Sequence, residues 1–153
     1  MIQIHNSLTG EKQVLQPLEP GHVRMYCCGT TVYDYFHVGN ARMLGVFDLV
    51  SRYLRYRGLR VTYVRNITDV DDKIIRRAAE AGIDWRALAD RYTAALHEDL
   101  ALLGCLPPDI EPRASAYIAQ MLTMIGQLIE RDYAYVASNG DVANKIGTYL
   151  KAL

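Results

Sequence analysis

Apolar residues recur at helical spacing from Asn40 to about Arg57, with Leu44, Phe47, Val50 and Leu54 on one face, and Gly58 supplies a helix stop. The stretches on either side of this helix read as strands. One runs from His22 to Cys28, and the other, from Leu59 to Ile67, is almost continuously apolar or β-favouring, the pattern of a strand buried on both faces. Joined through a helix, the two are expected to lie parallel with a right-handed crossover. Ahead of them, two short extended pieces between Ile2 and Gly21 surround Leu-Thr-Gly-Glu-Lys and predict a hairpin.

The rest of the chain is mostly helical in pattern. Thr68 or Asp69 is placed to cap a helix from about Val70 to Ala81 that stops at Gly82. Asp84 is placed to cap a second, from Trp85 to about Leu103, which Pro107-Pro108 closes. Pro112 opens a third, from about Ala114 to Arg131. Tyr133 to Ala137 and Asp141 to Val142 form a short pair around Ser-Asn-Gly, a good hairpin turn. These elements predict an α/β fold in one domain over residues 1–153: a Rossmann-type, doubly wound parallel sheet with an amino-terminal β-hairpin and a helical carboxyl-terminal portion. Ligands bind such sheets at the carboxyl ends of the strands.

Composition narrows the function classes. Lys and Arg total 17, as do Asp and Glu, and the basic residues form no block, so an electrostatic nucleic-acid footprint is missing from this stretch. No run is long enough to span a bilayer and the amino terminus is not a charged segment followed by an apolar core, which leads to the expectation of a soluble, cytoplasmic protein without a membrane partner. Three cysteines, two of them adjacent, make no disulfide framework. Side chains alternate along a strand, so only one of Cys27 and Cys28 can face a site at its end. Cys105, before Leu-Pro-Pro, reads as a buried small hydrophobe.

The candidate chemistry sits between the first long strand and its helix, in Cys28-Gly-Thr-Thr-Val-Tyr-Asp-Tyr-Phe-His37-Val-Gly39-Asn40-Ala-Arg42. A helix start offers unpaired N–H groups and the positive end of a macrodipole, and Gly39 keeps no side chain between backbone and ligand. His37 and Asn40, about one turn apart, are expected to face the same ligand. Taken alone, a histidine at a helix start is more often a cap than a catalyst.

The surrounding text shifts that weighing. Met25-Tyr-Cys-Cys-Gly-Thr-Thr-Val-Tyr-Asp34, His37-Val-Gly-Asn40 and Val64-Arg-Asn-Ile-Thr-Asp-Val-Asp-Asp-Lys73 together resemble the cysteinyl-tRNA synthetases, over about Met1 to Val142. His37-Val-Gly-Asn40 looks like the class I HIGH signature in its His-x-Gly-Asn form. The resemblance implies that His37 and Asn40 are catalytic, stabilising charge on the transferring adenylyl group, and that Thr30, Thr31, His37, Gly39 and Asn40 hold ATP with its Mg2+. It implies a cysteine pocket of Cys28, Gly29, Thr31 and Thr68, shaped also by Tyr33 and Asp34, with Cys28 as a zinc ligand. Zinc that takes a substrate sulfur offers a means of rejecting serine. Asp69, Asp71 and Asp72 have a carboxylate set suited to magnesium, although acids at a helix start serve its N–H groups at least as readily. Arg42 reads equally as a surface charge or a phosphate contact.

The partition the resemblance implies is a hairpin appendage at 1–21, a family-like core at 22–142 and a tail at 143–153 outside the family pattern. The family continues into a second half with a Lys-Met-Ser-Lys-Ser-type loop, further zinc ligands and an anticodon-binding domain, none of which is in these 153 residues. The expectation is therefore a catalytic-domain fragment of a cysteine-tRNA ligase, for which the full-length family uses cysteine, ATP and tRNA(Cys), slow or inactive alone and with Cys28 unmetallated or only weakly metallated, since neither His22 nor His37 has ligand-like spacing with it. The other reading is a stand-alone nucleotide or adenylate-binding relative without tRNA charging. An unpaired sheet edge would favour self-association or a partner chain.

Overall fold

The computed structural model describes residues 2–144. They form two compact units that divide after Pro112. The first begins with the hairpin of β1 (Gln3–Asn6) and β2 (Glu11–Val14), antiparallel in the register Gln3 to Val14. Gly10, at φ 73°, turns the chain between them.

Next come β3 (His22–Cys27), α1 (Val38–Tyr56) and β4 (Arg60–Arg65), with β3 and β4 parallel from His22 opposite Arg60 to Cys27 opposite Arg65. The helix between them buries Leu44, Asp48, Ser51 and Leu54. Leu54 packs with Val23, Cys27, Val61 and Tyr63 from one face of the strand pair, supported by Phe47 and Val50. Each such apolar side chain removed from water contributes about 1.5–3 kcal/mol before entropy is counted. The crossover thus seats one face of the strand pair, as the apolar spacing predicts.

On the far side of β4 the chain returns in extended form after the proline pair. The Arg65 and Ile67 N–H groups donate to the carbonyls of Ile110 and Pro112, and the Asp109 N–H donates to Tyr63. Val64 and Ile110 pair in parallel. This third row is too short and too rich in proline to read as a strand from sequence. Its effect is to cover one edge of the pair, so that the outer edge of β3 is the one with no strand partner among the described residues.

α2 (Asp72–Ala81) and α3 (Trp85–Leu102) follow. Ile74 and Ala78 from the first meet Leu88, Ala89, Tyr92, Leu96 and Leu100 from the second in a core that also takes Leu44, Val32 and Ile67, with Cys105 packed against it. Asp84 caps α3 as expected, accepting from the N–H groups of Arg86 and Ala87. α2 departs from expectation: its cap is Asp71, which accepts from Lys73 N–H, rather than Thr68 or Asp69. The reason is that Thr68 is held extended by backbone pairing to Thr31, so the helix cannot start until the chain leaves that ladder. Gly82 closes the helix at φ 64°.

In the second unit, the helix expected from Ala114 to Arg131 divides into a 3-10 turn (Ala114–Tyr117) and α4 (Ile118–Glu130). The turn opens with an Ala116 N–H to Arg113 carbonyl bond, the tighter winding common at helix starts. β5 (Ala134–Val136) and β6 (Val142–Asn144) then pair antiparallel as predicted, through a turn with Gly140 at φ 89°. No helix among the described residues is long and apolar enough to cross a membrane. The expected tail is outside the described residues from position 145 onward.

Tyr63 carries a testable consequence of this packing. It is 2 % exposed, and its hydroxyl meets no partner at full hydrogen-bond geometry among the described residues, although the Cys27 thiol and the Arg65 guanidinium lie close enough to act on it. The nearby Cys27 thiol turns to the Cys28 carbonyl at 3.4 Å. Burial pushes the phenol from 10.0 up to about 12, so the fold holds it neutral. A group whose pKa is raised in the fold lends its stability below its unfolded value and loses it as pH climbs to the folded one. Tyr63→Phe should therefore be neutral or up to about 1 kcal/mol more stable at pH 7, since it removes a buried hydroxyl without a fully formed hydrogen bond. Urea unfolding of both proteins should also show the wild type losing ground to the variant between pH 10.0 and about 12. A variant clearly less stable at pH 7 would mean that the hydroxyl is bonded.

Candidate functional site

Beyond Cys27 the strand pair ends, yet the two chains stay together. Gly29 N–H donates to the Asn66 side-chain oxygen at 2.8 Å, Thr68 N–H to the Thr30 carbonyl at 3.2 Å, and Val32 N–H to the Thr68 carbonyl at 3.2 Å. Asn66 also receives the Tyr26 hydroxyl at 3.0 Å and gives its own N–H to the Thr68 hydroxyl at 3.1 Å. A side chain at position 29 is excluded, because its Cβ would fall 1.6 Å from the Asn66 carbonyl oxygen. The result is a seam that fixes the loop after β3 against the loop after β4.

The signature loop then runs to the start of α1. Tyr35 stands edge-on to the Tyr92 ring of α3 at 5.3 Å, and Asp34 lies 3.5 Å from Arg77 of α2. Lys73 places its ammonium 5.5 Å from the centre of the Tyr33 ring. These contacts hold open a cleft of about 340 Å3, lined by residues 29–37 together with Asn40, Met43, Lys73, Tyr92 and Leu96. That volume is at the low end of ligand pockets, which run from roughly 300 to 1,000 Å3.

α1 begins at Val38 rather than at Asn40, and His37 is its cap. The Nδ1 atom accepts from Gly39 N–H at 2.9 Å. An accepting Nδ1 places the proton of the neutral ring on Nε2, which leaves that nitrogen as a donor. Gly39 makes this possible: a Cβ there would stand 2.6 Å from His37 Cε1. The cap and the candidate catalyst are therefore one and the same side chain.

Of the residues singled out by sequence, Gly29, Thr30, Thr31, His37 and Asn40 line the cleft. Gly39 touches it only through the imidazole it supports, and Thr68 only through its backbone bonds to the loop. Tyr33 and Asp34 line it as well, whereas Arg42 is exposed and does not. Cys28 is exposed next to Gly29 and outside the lining, while Cys27 is buried as alternation requires. Burial pushes the Cys27 and Cys105 thiols up, which suits packed, unreactive groups.

The metal assignments do not assemble. Among the described residues no three His, Cys, Asp or Glu side chains gather around one point. Cys28 alone cannot make the tetrahedral set zinc requires. His22 is no substitute: its Nδ1 meets Glu19 at 3.0 Å and its Nε2 meets Thr62 at 2.8 Å, at the opposite end of β3. Asp69 is buried, Asp71 spends an oxygen on the helix cap, and Asp72 sits exposed in the first turn, so the three diverge.

Asn66, Lys73, Tyr35 and Tyr92 were given no role by the sequence. Asn66 and Lys73 were legible as parts of a motif, but only the fold shows the first tied to Gly29 and the second in the cleft. Tyr92 lies on an ordinary amphipathic helix, and nothing in its spacing marks it.

Comparison with known proteins gives concordant results. Residues 14–151 match the family described as "tRNA synthetases class I (C) catalytic domain". That match runs past Val142, where the motif resemblance ended. The chain is 65% identical over 142 residues to a "Cysteine--tRNA ligase" from Thioalkalivibrio sulfidiphilus, covering 93% of this chain and 31% of that protein. It is 58% identical over 149 residues to one from Alkalilimnicola ehrlichii, covering 97% and 32%. The chain thus spans about a third of the length of these curated relatives. Among solved structures, the ternary LeuRS-tRNA-LeuAMS complex from Agrobacterium radiobacter K84 superposes with a TM-score of 0.65 at 16% identity, over 78% of this chain and 16% of that one. At that identity the likeness shows the fold alone, a Rossmann-type α/β architecture.

The seam predicts an order of damage. Asn66→Ala removes the acceptor of the part-buried Gly29 N–H and of the exposed Tyr26 hydroxyl and should cost about 0.5–1.5 kcal/mol in urea unfolding. Gly29→Ala must move backbone and should cost more than Asn66→Ala, about 3 kcal/mol or above. A Gly29→Ala protein as stable as the wild type would show that the two loops do not meet.

Proposed function

We propose that this chain, which belongs to the class I tRNA synthetases of the cysteine type, carries the ATP and amino-acid half-site of a cysteine-tRNA ligase. In this reading a carboxylate oxygen of cysteine attacks the α-phosphorus of ATP. The bond from that phosphorus to the bridging oxygen breaks, and pyrophosphate leaves with the electron pair. Such a step needs donors aimed at charge on phosphate oxygens more than it needs a base. The observation that carries the reading is the Gly39 N–H to His37 Nδ1 bond at 2.9 Å, which leaves Nε2–H as a fixed donor in the cleft beside Asn40.

The remaining assignments follow from the same position. Thr30 and Thr31 offer backbone and hydroxyl groups to the nucleotide, and Gly39 admits the imidazole. Cys28, Gly29, Thr31 and Thr68 are assigned to the cysteine side, at the carboxyl ends of β3 and β4 where ligands of such sheets bind. Mg2+ accompanies ATP as its usual counter-ion. Cys28 is the one residue here proposed as a zinc ligand, its further ligands coming from outside the described residues, which gather no such group themselves. tRNA(Cys) is the acceptor proposed for the longer relatives, and the balance of 17 basic against 17 acidic residues supports an RNA surface mostly beyond this stretch. The outer edge of β3 is the surface proposed for self-association or a partner chain.

Isothermal titration with a non-hydrolysable cysteinyl-adenylate analogue tests the half-site. Binding should have a Kd on the order of micromolar. It should weaken about 10-fold or more in His37→Ala, with the loss of a charge-directed donor. A folded chain that gives no heat, or a His37→Ala variant that binds as the wild type does, would overturn the assignment.

A further inference from the structure

Lys73 is the one lysine or arginine among the residues that line the cleft. It enters from α2, a different motif from the one that supplies His37 and Asn40. None of the ion pairs among the described residues includes it, and its ammonium rests on the face of Tyr33. The cleft's own carboxylate, Asp34, is occupied: one oxygen lies 3.5 Å from Arg77 and the other accepts from Tyr35 N–H at 2.8 Å. Lys73 is thus the one lysine or arginine in the cleft lining that these ion pairs leave out.

The position is a poor one for helix stability. Lys73 stands in the first turn of α2, where a cation adds to the positive end of the macrodipole and is unfavourable. Asp71 and Asp72 offset that locally, so the helix itself has no use for the charge. The contact with Tyr33, 5.5 Å from ammonium to ring centre, holds the long side chain toward the cleft.

Donor count decides which anion fits. An ammonium has three N–H donors; with His37 Nε2–H, the Asn40 amide and the Thr30 and Thr31 hydroxyls they exceed the roughly four acceptor positions of one carboxylate. Several phosphate groups in a row would use them. We propose that Lys73 holds the polyphosphate of the nucleotide, neutralising the β- and γ-phosphates that depart as pyrophosphate. The identity of the nucleotide rests on the function proposed above; the polyphosphate contact itself does not.

Inorganic tripolyphosphate is the probe, used with the whole 153-residue chain. Acetylation of lysines, read by mass spectrometry, should slow about 10-fold at Lys73 when tripolyphosphate is present, a change of about 1.4 kcal/mol, while Lys12 on β2 is unaffected. Titration should show binding lost in Lys73→Gln and kept in Lys73→Arg. Lys73 is exposed, so both variants should fold, which circular dichroism checks. Equal acetylation with and without the probe, or tripolyphosphate binding that Lys73→Gln leaves intact, overturns the proposal. A wild type that binds the adenylate analogue but no tripolyphosphate overturns it too, while leaving the half-site standing. Tripolyphosphate binding without analogue binding does the reverse.

Discussion

The Asn66 side chain holds the two halves of the site together. Parallel strands end at Cys27 and Arg65, and a chain that simply splayed there would leave the signature loop to find its own place. Asn66 instead bonds Gly29, Tyr26 and Thr68 at once, and the backbone of Thr30 to Val32 continues the ladder with Thr68. A neutral hydrogen bond contributes only about 0.5–1.5 kcal/mol, but an unmade one in a partly buried seam costs as much or more. The lack of a side chain at Gly29 is what allows the approach.

From that seam the rest of the site follows in order. Thr68 must stay extended, so α2 starts late, at Asp72, and its first turn carries Lys73 to the cleft. The loop from Thr30 must cross the cores of α2 and α3, so Tyr35 and Val32 anchor it to the same apolar cluster that seats α1. The loop then delivers His37 as the cap of α1. A cap needs an acceptor and the phosphate contact proposed above needs a donor; an imidazole with its proton on Nε2 offers both.

Much of this fold was readable. Helix spacing at Leu44 and Leu54, the stops at Gly58 and Gly82 and the cap at Asp84 are local signals, and the structure keeps them. What could not be read was non-local. Thr68 has the chemistry of a cap and would serve as one in isolation; its pairing with Thr31 overrides that. The row at 109–112 lacks strand length and depends on β4 for its bonds. Site residues from the signature were found because they are adjacent in sequence, whereas Tyr92 enters the cleft from a helix whose pattern says only that it is buried on one side.

Native-state hydrogen exchange at the Gly29, Val32 and Thr68 amides is the most direct measurement. If the seam organises the site, those three should exchange as slowly as amides inside β3 and β4, because opening them requires the same cooperative unit to open. Exchange at the rate of a free loop, with the strands still protected, would contradict the account, since the motifs would then meet only by chance encounters and not by a fixed contact.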